Sequence, residues 1–352
     1  MKYKLVAENP AEEQAIASDL FPQPVIDTIS TLVQTRAIMA AVKLGIFEAI
    51  GHDLKLAQEI AKRASVDTSC LVLLLRVLCN AGYIEIEENK FKNSQLTIKT
   101  LLADSAHNLS DFIHFAYFQW NWIEGMEAVV KSGIGLDTHK TMQLPQDWET
   151  YQRAMFEAAR IEAVEIASLV PVKDAATKLL DIGGSHGFYG ATICLKYPPM
   201  ISEVLDLPQA INAAKMIAKE NGFDNIVSYR GGNALEDELG KDLDVVFMAN
   251  IAHHFTETQN EALLKRIYKA ISLDGTVAIL DFKEPEQYAQ SDLIGDTLAL
   301  FYRITSSAQC YQESHYINWL KQAGFSDIKV HQTPFGPTKL LVTGRSVSLS
   351  RR

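Results

Sequence analysis

Leu180-Asp181-Ile182-Gly183-Gly184-Ser185-His186-Gly187 lies between an apolar run that begins at Lys178 and a segment, Phe188 to Lys196, with helical spacing of its apolar residues. Strand, glycine turn and helix is the order this spells. Glycines at such a turn let a ligand approach the backbone closely, and the free N–H groups of the helix start face a carboxylate or phosphate. The same rhythm continues downstream. A second strand is expected at Ile201 to Leu207, with a helix from Ala210 to Asn221 stopped by Gly222. A third strand follows at Ile226 to Arg230, a fourth at Asp244 to Ala249, then a helix Glu257 to Ser272 and a fifth strand Thr276 to Asp281. Strands alternating with helices predict a parallel sheet covered on both faces. The chain closes with a helix Ser314 to Ala323, Gly324 as its stop, and strands Asp327 to Gln332 and Thr338 to Thr343, close enough to pair antiparallel.

Upstream the pattern is different. Ile26, Ile29, Leu32 and Val33 recur at helical spacing, a second apolar helix runs through Leu71, Leu74, Leu75 and Leu78, and Tyr83 to Glu87 alternates before a turn at Glu88-Asn89-Lys90 and Phe91. Helices followed by a hairpin follow the winged-helix plan. Residues 1–110 contain 11 basic and 13 acidic residues, with no basic cluster on one helix face. DNA binding needs phosphate-facing cations, so packing or dimerisation is the expected role. Between the halves, Phe112, Phe115, Tyr117, Phe118, Trp120 and Trp122 crowd together, followed by Trp148, Tyr151, Met155 and Phe156. These aromatics suit either a domain seam or the wall of a pocket for a flat apolar molecule.

The 352 residues suggest two domains at roughly 150 residues each, and 47% hydrophobic with 22% charged residues is an ordinary globular composition. Apolar runs such as Leu71 to Leu75 are far short of the roughly 18 residues a membrane span needs. Met1 to Asn9 has two lysines with no apolar segment behind them, and Cys70, Cys79, Cys194 and Cys310 form neither a zinc pattern nor a disulfide framework. A cytoplasmic protein is the expectation. The net charge of −10 argues against nucleic acid as a partner.

Three groups carry chemistry. Asp206 ends the second strand, where an acid in a Rossmann-type sheet accepts hydrogen bonds from both hydroxyls of an adenosine ribose. Asn250-Ile251-Ala252-His253-His254-Phe255 follows the fourth strand, and a histidine there suits general-base work near neutrality. On an extended segment only one of the two histidines can face the cleft. No carboxylate partner at metal-ligand spacing accompanies them. Gly183 to Gly187 also matches the G-x-S-x-G nucleophile elbow, which would make Ser185 a nucleophile with Asp281 and His315 or His331 downstream, but the helical residues before it are the wrong setting.

Leu180 to Pro285 resembles the class I S-adenosylmethionine-dependent O-methyltransferases of the plant-type and bacterial secondary-metabolite family. Ala41-Val42-Lys43-Leu44-Gly45-Ile46-Phe47, Leu74 to Tyr83 and Gln322-Ala323-Gly324-Phe325 extend the likeness over nearly the whole chain. The resemblance implies an α/β fold, a Rossmann-like seven-stranded methyltransferase domain at 171–352, a mostly helical winged-helix dimerisation domain at 1–110, and linker helices at 111–170 that contribute to the substrate pocket. It implies S-adenosylmethionine as cofactor, S-adenosylhomocysteine as product, no metal, a small hydroxyl acceptor and a homodimer, with apolar surface at Phe21 to Ile50. Gly183, Gly184, Asp206, Leu207, Asn233, Ala234 and Ala249 would hold the cofactor. Asn233 stands where the family has an acid, Ala249 where it has a lysine. His253 would be the base and Asp281 its carboxylate partner, with His254 and Cys310 at positions usually acidic. Met155, Phe301 and Tyr302 would line the acceptor pocket. Some relatives bind the cofactor for hydroxylation or decarboxylation, so that chemistry is the alternative.

Overall fold

A computed structural model describes residues 6–18, 23–286, 292–333 and 336–347. By contacts the chain divides into two compact units, Lys2–Tyr117 and Phe118–Arg352, each considered by itself. The boundary falls inside the helix Ser110–Ile123. Residues 118–170 thus group with the sheet.

In the first unit the helices Gln23–Lys43, Ile46–Ile50, Ala57–Ala64 and Thr68–Asn80 precede a hairpin of β1 (Ile84–Glu87) and β2 (Lys90–Asn93), followed by the helix Gln95–Leu101. Glu88 and Asn89 both have positive φ, which gives the two-residue turn the twist that the paired strands require. Asp67 starts the helix Thr68–Asn80 by accepting the Cys70 amide. Ile46, Ile50, Ile60, Leu75 and Leu78 form the buried centre. Val25, Ile29, Leu32 and Val33 remain exposed along the first of these helices. Phe21, part of the apolar surface expected from the sequence, lies outside the described residues.

The second unit is built on a seven-stranded sheet: β3 (Lys178–Ile182), β4 (Ile201–Asp206), β5 (Val227–Gly231), β6 (Leu243–Ala249), β7 (Ile271–Phe282), β8 (Ser326–Thr333) and β9 (Gly336–Arg345), in the order β5-β4-β3-β6-β7-β9-β8. The first five are parallel, and β9 runs antiparallel to both β7 and β8. Val245, Val246 and Phe247 on β6 are fully buried, as expected for a strand covered on both faces. The chain reverses direction of travel between β3 and β6, and the crevice beyond their carboxyl ends is where such sheets place ligands.

Two expectations need correction. The helix Glu257–Ala270 ends earlier than the periodicity suggests, and β7 begins directly at Ile271, five residues before the expected strand. Ile271 pairs with Leu243 ahead of a register shift, so the extension is created by a neighbouring strand rather than by local pattern. The helix Leu293–Thr305 has no counterpart in the sequence reading; Asp292 caps it by accepting the Gly295 amide. Among the described residues no helix is long and apolar enough to cross a membrane.

Candidate active site

The turn after β3 is shaped by contacts that only glycine permits. Gly183 has φ of +62°, and a Cβ there would stand 2.0 Å from Ile251 Cδ1. Gly184 faces the other way, since its Cβ would meet the Asp181 carboxyl at 2.5 Å. Asp181 itself is buried beneath the turn, and neither carboxyl oxygen has a hydrogen-bond partner in good geometry. Burial pushes its pKa up to about 8, with the Gly190 amide opposing and the Asp206 charge adding to the rise. Asp181 is therefore mostly protonated near neutral pH and supports the turn from below.

Asp206, at the end of β4, accepts the Ser185 amide at Oδ2 (2.8 Å) and the Leu207 amide at Oδ1 (2.6 Å). Burial raises its pKa and these two amides counter the rise. The carboxyl is thereby oriented, with acceptor capacity left for ligand hydroxyls. It borders a cavity that also takes in Gly183, Leu207, Asn233 and Ala234. Five of the seven expected cofactor residues thus share one cavity, whereas Gly184 and Ala249 are not among its lining residues. Asn233 accepts the Leu235 amide at Oδ1, which leaves its NH2 to donate.

Beyond β6 the chain does not stay extended. Asn250 adopts φ of +53°, and Ala252–His254 form a 3-10 turn. The His253 and His254 rings therefore pack side by side, with centroids 4.3 Å apart, rather than pointing to opposite faces. His254 lines the cavity and His253 sits behind it, 1% exposed. The turn is held by Asn260, which donates to the carbonyls of Ala252 and Phe255, and by Ser306, which donates to the His253 carbonyl.

Asp281, at the end of β7, is completely buried and close to His253 on the neighbouring strand's loop. Its Oδ1 lies 2.6 Å from His253 Nδ1 and accepts the Phe282 amide; its Oδ2 accepts the His253 amide. A carboxylate at Nδ1 keeps the proton there and leaves the Nε2 lone pair free. That Nε2 is buried and makes no hydrogen bond among the described residues. The Tyr302 ring packs against the imidazole, centroid to centroid 4.1 Å. Cys310 is a buried thiol whose pKa is driven up by burial and by Asp281, so it is neutral and cannot replace a carboxylate. Met155, Phe301 and Tyr302 are half-buried, and none of the three is among the residues lining the cavity.

Ser185 does not have a hydrolase's surroundings: its hydroxyl donates to Gln152 Oε1 at 2.6 Å, and Asp281 is committed to His253. Trp148 and Tyr151, which the sequence offers as a domain seam or a pocket wall, line the cavity together with Asn250 and Ile251 of the segment after β6, and His139, which the sequence did not single out, joins them.

Comparison with known proteins matches residues 121–326 to the O-methyltransferase domain. The 3-hydroxy-5-methyl-1-naphthoate 3-O-methyltransferase of Streptomyces sahachiroi is 20% identical over 314 residues, 88% of this chain and 90% of that protein. The mitomycin biosynthesis 6-O-methyltransferase of Streptomyces lavendulae is 24% identical, covering 98% of this chain and all of that protein. The structure of human N-acetylserotonin methyltransferase in complex with S-adenosylmethionine superposes with a TM-score of 0.80 at 17% identity, over 98% of this chain and 100% of that chain.

Proposed function

Because this chain belongs to the O-methyltransferase family, an S-adenosylmethionine-dependent group of enzymes, we propose that it methylates a hydroxyl of a small aromatic or polyketide-like metabolite with His253 as general base. The observation that carries this reading is the buried His253–Asp281 pair, its Nε2 unpartnered, next to a cavity that also contains Asp206 and the Gly183 turn.

The residues present fit the cofactor. Asp206 is a pre-oriented carboxyl suited to ribose hydroxyls, Leu207 and Ala234 offer apolar surface beside it, and Asn233 retains an NH2 for a ring nitrogen. Gly183, held at a φ of +62° against Ile251, borders the cavity where an amino-acid portion would approach the backbone. When bound, S-adenosylmethionine supplies a methyl group on a positively charged sulfur. His253 Nε2 takes the proton of the acceptor hydroxyl as the oxygen becomes nucleophilic, and Asp281 offsets the charge that the ring acquires. Holding the acceptor oxygen in line with the methyl group supplies the rest. No step in this scheme uses a metal, since a phenol near pKa 10 is within reach of a positioned imidazole. The first unit is assigned to dimerisation through the exposed apolar face of the helix Gln23–Lys43, and the enzyme to the cytoplasm.

Calorimetric titration with S-adenosylmethionine, S-adenosylhomocysteine and NAD tests the cofactor. The first two are expected to bind and NAD not, with Asp206→Ala losing at least tenfold in affinity. Absence of binding by the wild-type protein would overturn the reading. His253→Ala is expected to abolish methyl transfer while leaving cofactor affinity unchanged, and undiminished transfer would remove His253 as the base.

A further inference from the structure

The segment between β5 and β6 brings Gly232, Asn233 and Ala234 to the cavity without any helix or strand of its own. Its outer part, Glu236-Asp237-Glu238, is exposed and carries three adjacent carboxylates, which repel one another. Arg266 and Arg230 both reach this loop, and both bind its carbonyls. Arg266, half-buried on the helix Glu257–Ala270, donates to the Ala234 carbonyl at 2.6 Å and to the Asp237 carbonyl. Arg230, on β5, donates to the Glu238 carbonyl at 3.0 Å and to the Glu203 carboxylate of β4 at 3.1 Å.

Within the loop the chain closes on Asn233. Its amide donates to Asp237 Oδ2 at 2.7 Å, its carbonyl accepts the Glu236 and Asp237 amides, and its Oδ1 accepts the Leu235 amide. The turn is drawn tight, since a Cβ at Gly232 would stand 2.6 Å from Asp237 Oδ2. These bonds fix which end of the Asn233 amide is spent inside the loop and which is left for a ligand. Nothing in them ties the turn to the rest of the protein. Arg266 does that, because its planar fork takes two carbonyls three residues apart. Its own helix is anchored by Leu263, Leu264 and Ile267, all almost completely buried.

Resting on the methyltransferase reading above, we propose that Arg266 is a positioning residue for the cofactor's purine: through the Ala234 and Asp237 carbonyls it holds the turn so that the Asn233 NH2 stays directed at a ring nitrogen. Arg266 itself is not among the residues lining the cavity, so it acts through Asn233 and not on the ligand. The uncharged side chain at position 233 is what makes this support matter. A carboxylate forms a charge-assisted bond roughly twice as strong as a neutral one, and its charge acts at a distance. The hydrogen bond of an amide weakens steeply once its angle is lost. Affinity at the purine end therefore depends on where the turn is held.

The test is a double-mutant cycle on the full chain, read by calorimetric titration with S-adenosylhomocysteine. Asn233→Ala and Arg266→Met are each expected to weaken binding about tenfold, the effect of roughly one hydrogen bond. The protein with both changes should bind no more weakly than the Asn233→Ala protein, because the second loss is already contained in the first. Arg266→Lys keeps the charge and can reach one carbonyl but not two, and it should lose about threefold. Urea unfolding of each variant verifies that it folds; should Arg266→Met fail to fold, Arg266→Lys takes its place in the cycle under the same criterion. Undiminished affinity in the Arg266 variants, undiminished affinity in Asn233→Ala, or losses that multiply in the combined protein would each overturn the proposal. A multiplied loss would mean that Arg266 serves the stability of the unit and not the placement of Asn233. Failure of the wild type to bind S-adenosylhomocysteine is a different result, and it would remove the methyltransferase reading together with this inference.

Discussion

Replacing Asp181 by Asn probes whether the turn at Gly183 is supported by a neutral acid. The carboxyl is buried, has no well-formed hydrogen bond to either oxygen, and has a pKa pushed up to about 8 by that burial. In the unfolded chain the same group titrates near 3.9. Between those values the folded protein holds a proton that the unfolded chain has released. The stabilising effect of that proton is therefore fully present below about pH 4 and is lost as pH rises through about 8. The slope is about 1.4 kcal/mol per pH unit, so from pH 5 to pH 7 the wild type should lose about 3 kcal/mol relative to the Asp181→Asn protein, whose amide does not titrate there. For a unit of this size that is roughly 5 to 11 °C in the melting temperature. Thermal unfolding of the wild-type and Asp181→Asn proteins at both pH values measures the difference, and other titrating groups cancel because they are common to both. Parallel behaviour of the two proteins would refute the argument. S-adenosylmethionine affinity is expected to survive the substitution, since the side chain faces Gly184 and Gly190 rather than the cavity.

Gly183→Ala places a Cβ 2.0 Å from Ile251 Cδ1 at a φ of +62°, and is expected to cost about 1–3 kcal/mol and to weaken cofactor binding; Gly183→Ala with Ile251→Ala should recover the steric part, as denaturation and titration would show. Asp281→Asn removes the charge facing His253, worth about 4 kcal/mol for ions about 4 Å apart at an effective dielectric of 20, so single-turnover methyl transfer should slow by about a thousandfold with cofactor affinity unchanged. Lys339 contacts Glu162 inside the protein, where Tyr189 also donates to Glu162 at 2.6 Å, and both charged side chains are almost completely buried. Lys339→Met alone should destabilise by about 3–5 kcal/mol by stranding Glu162, and Glu162→Gln with Lys339→Met should recover most of it on urea unfolding.

Much of the sheet is legible in the sequence because a parallel strand buried on both faces reads as a short apolar run, as at Leu243–Ala249, and its ends are marked by glycine and acid. Asp206 could be placed by the same logic, and the alternation at Ile84 and Ile86 announces the hairpin. Where pairing with a distant strand decides an element, local pattern fails. Ile271 joins the sheet because it pairs with Leu243 of β6, pairing resumes only at Thr276 after the left-handed Asp274, and Leu293–Thr305 is a helix between segments that carry no periodic signal. The cavity shows the same division. His253, Asp281 and Asp206 stand at strand ends that sequence order locates, whereas His139, Trp148 and Tyr151 enter from a segment before the sheet and reach the cavity through tertiary packing.

The residue types, their order and the strand-end positions of the reacting groups were determined by the sequence itself, through hydrophobic periodicity, glycine conformational freedom and side-chain chemistry, all of which act over a few neighbours. Which histidine is buried on a carboxylate and which faces the cavity was decided by the tertiary structure. A 3-10 turn in place of an extended segment rotates His253 towards Asp281 and His254 towards His139, and that rotation follows from bonds made by Asn260, Ser306 and Asp281, groups that only the packed fold assembles.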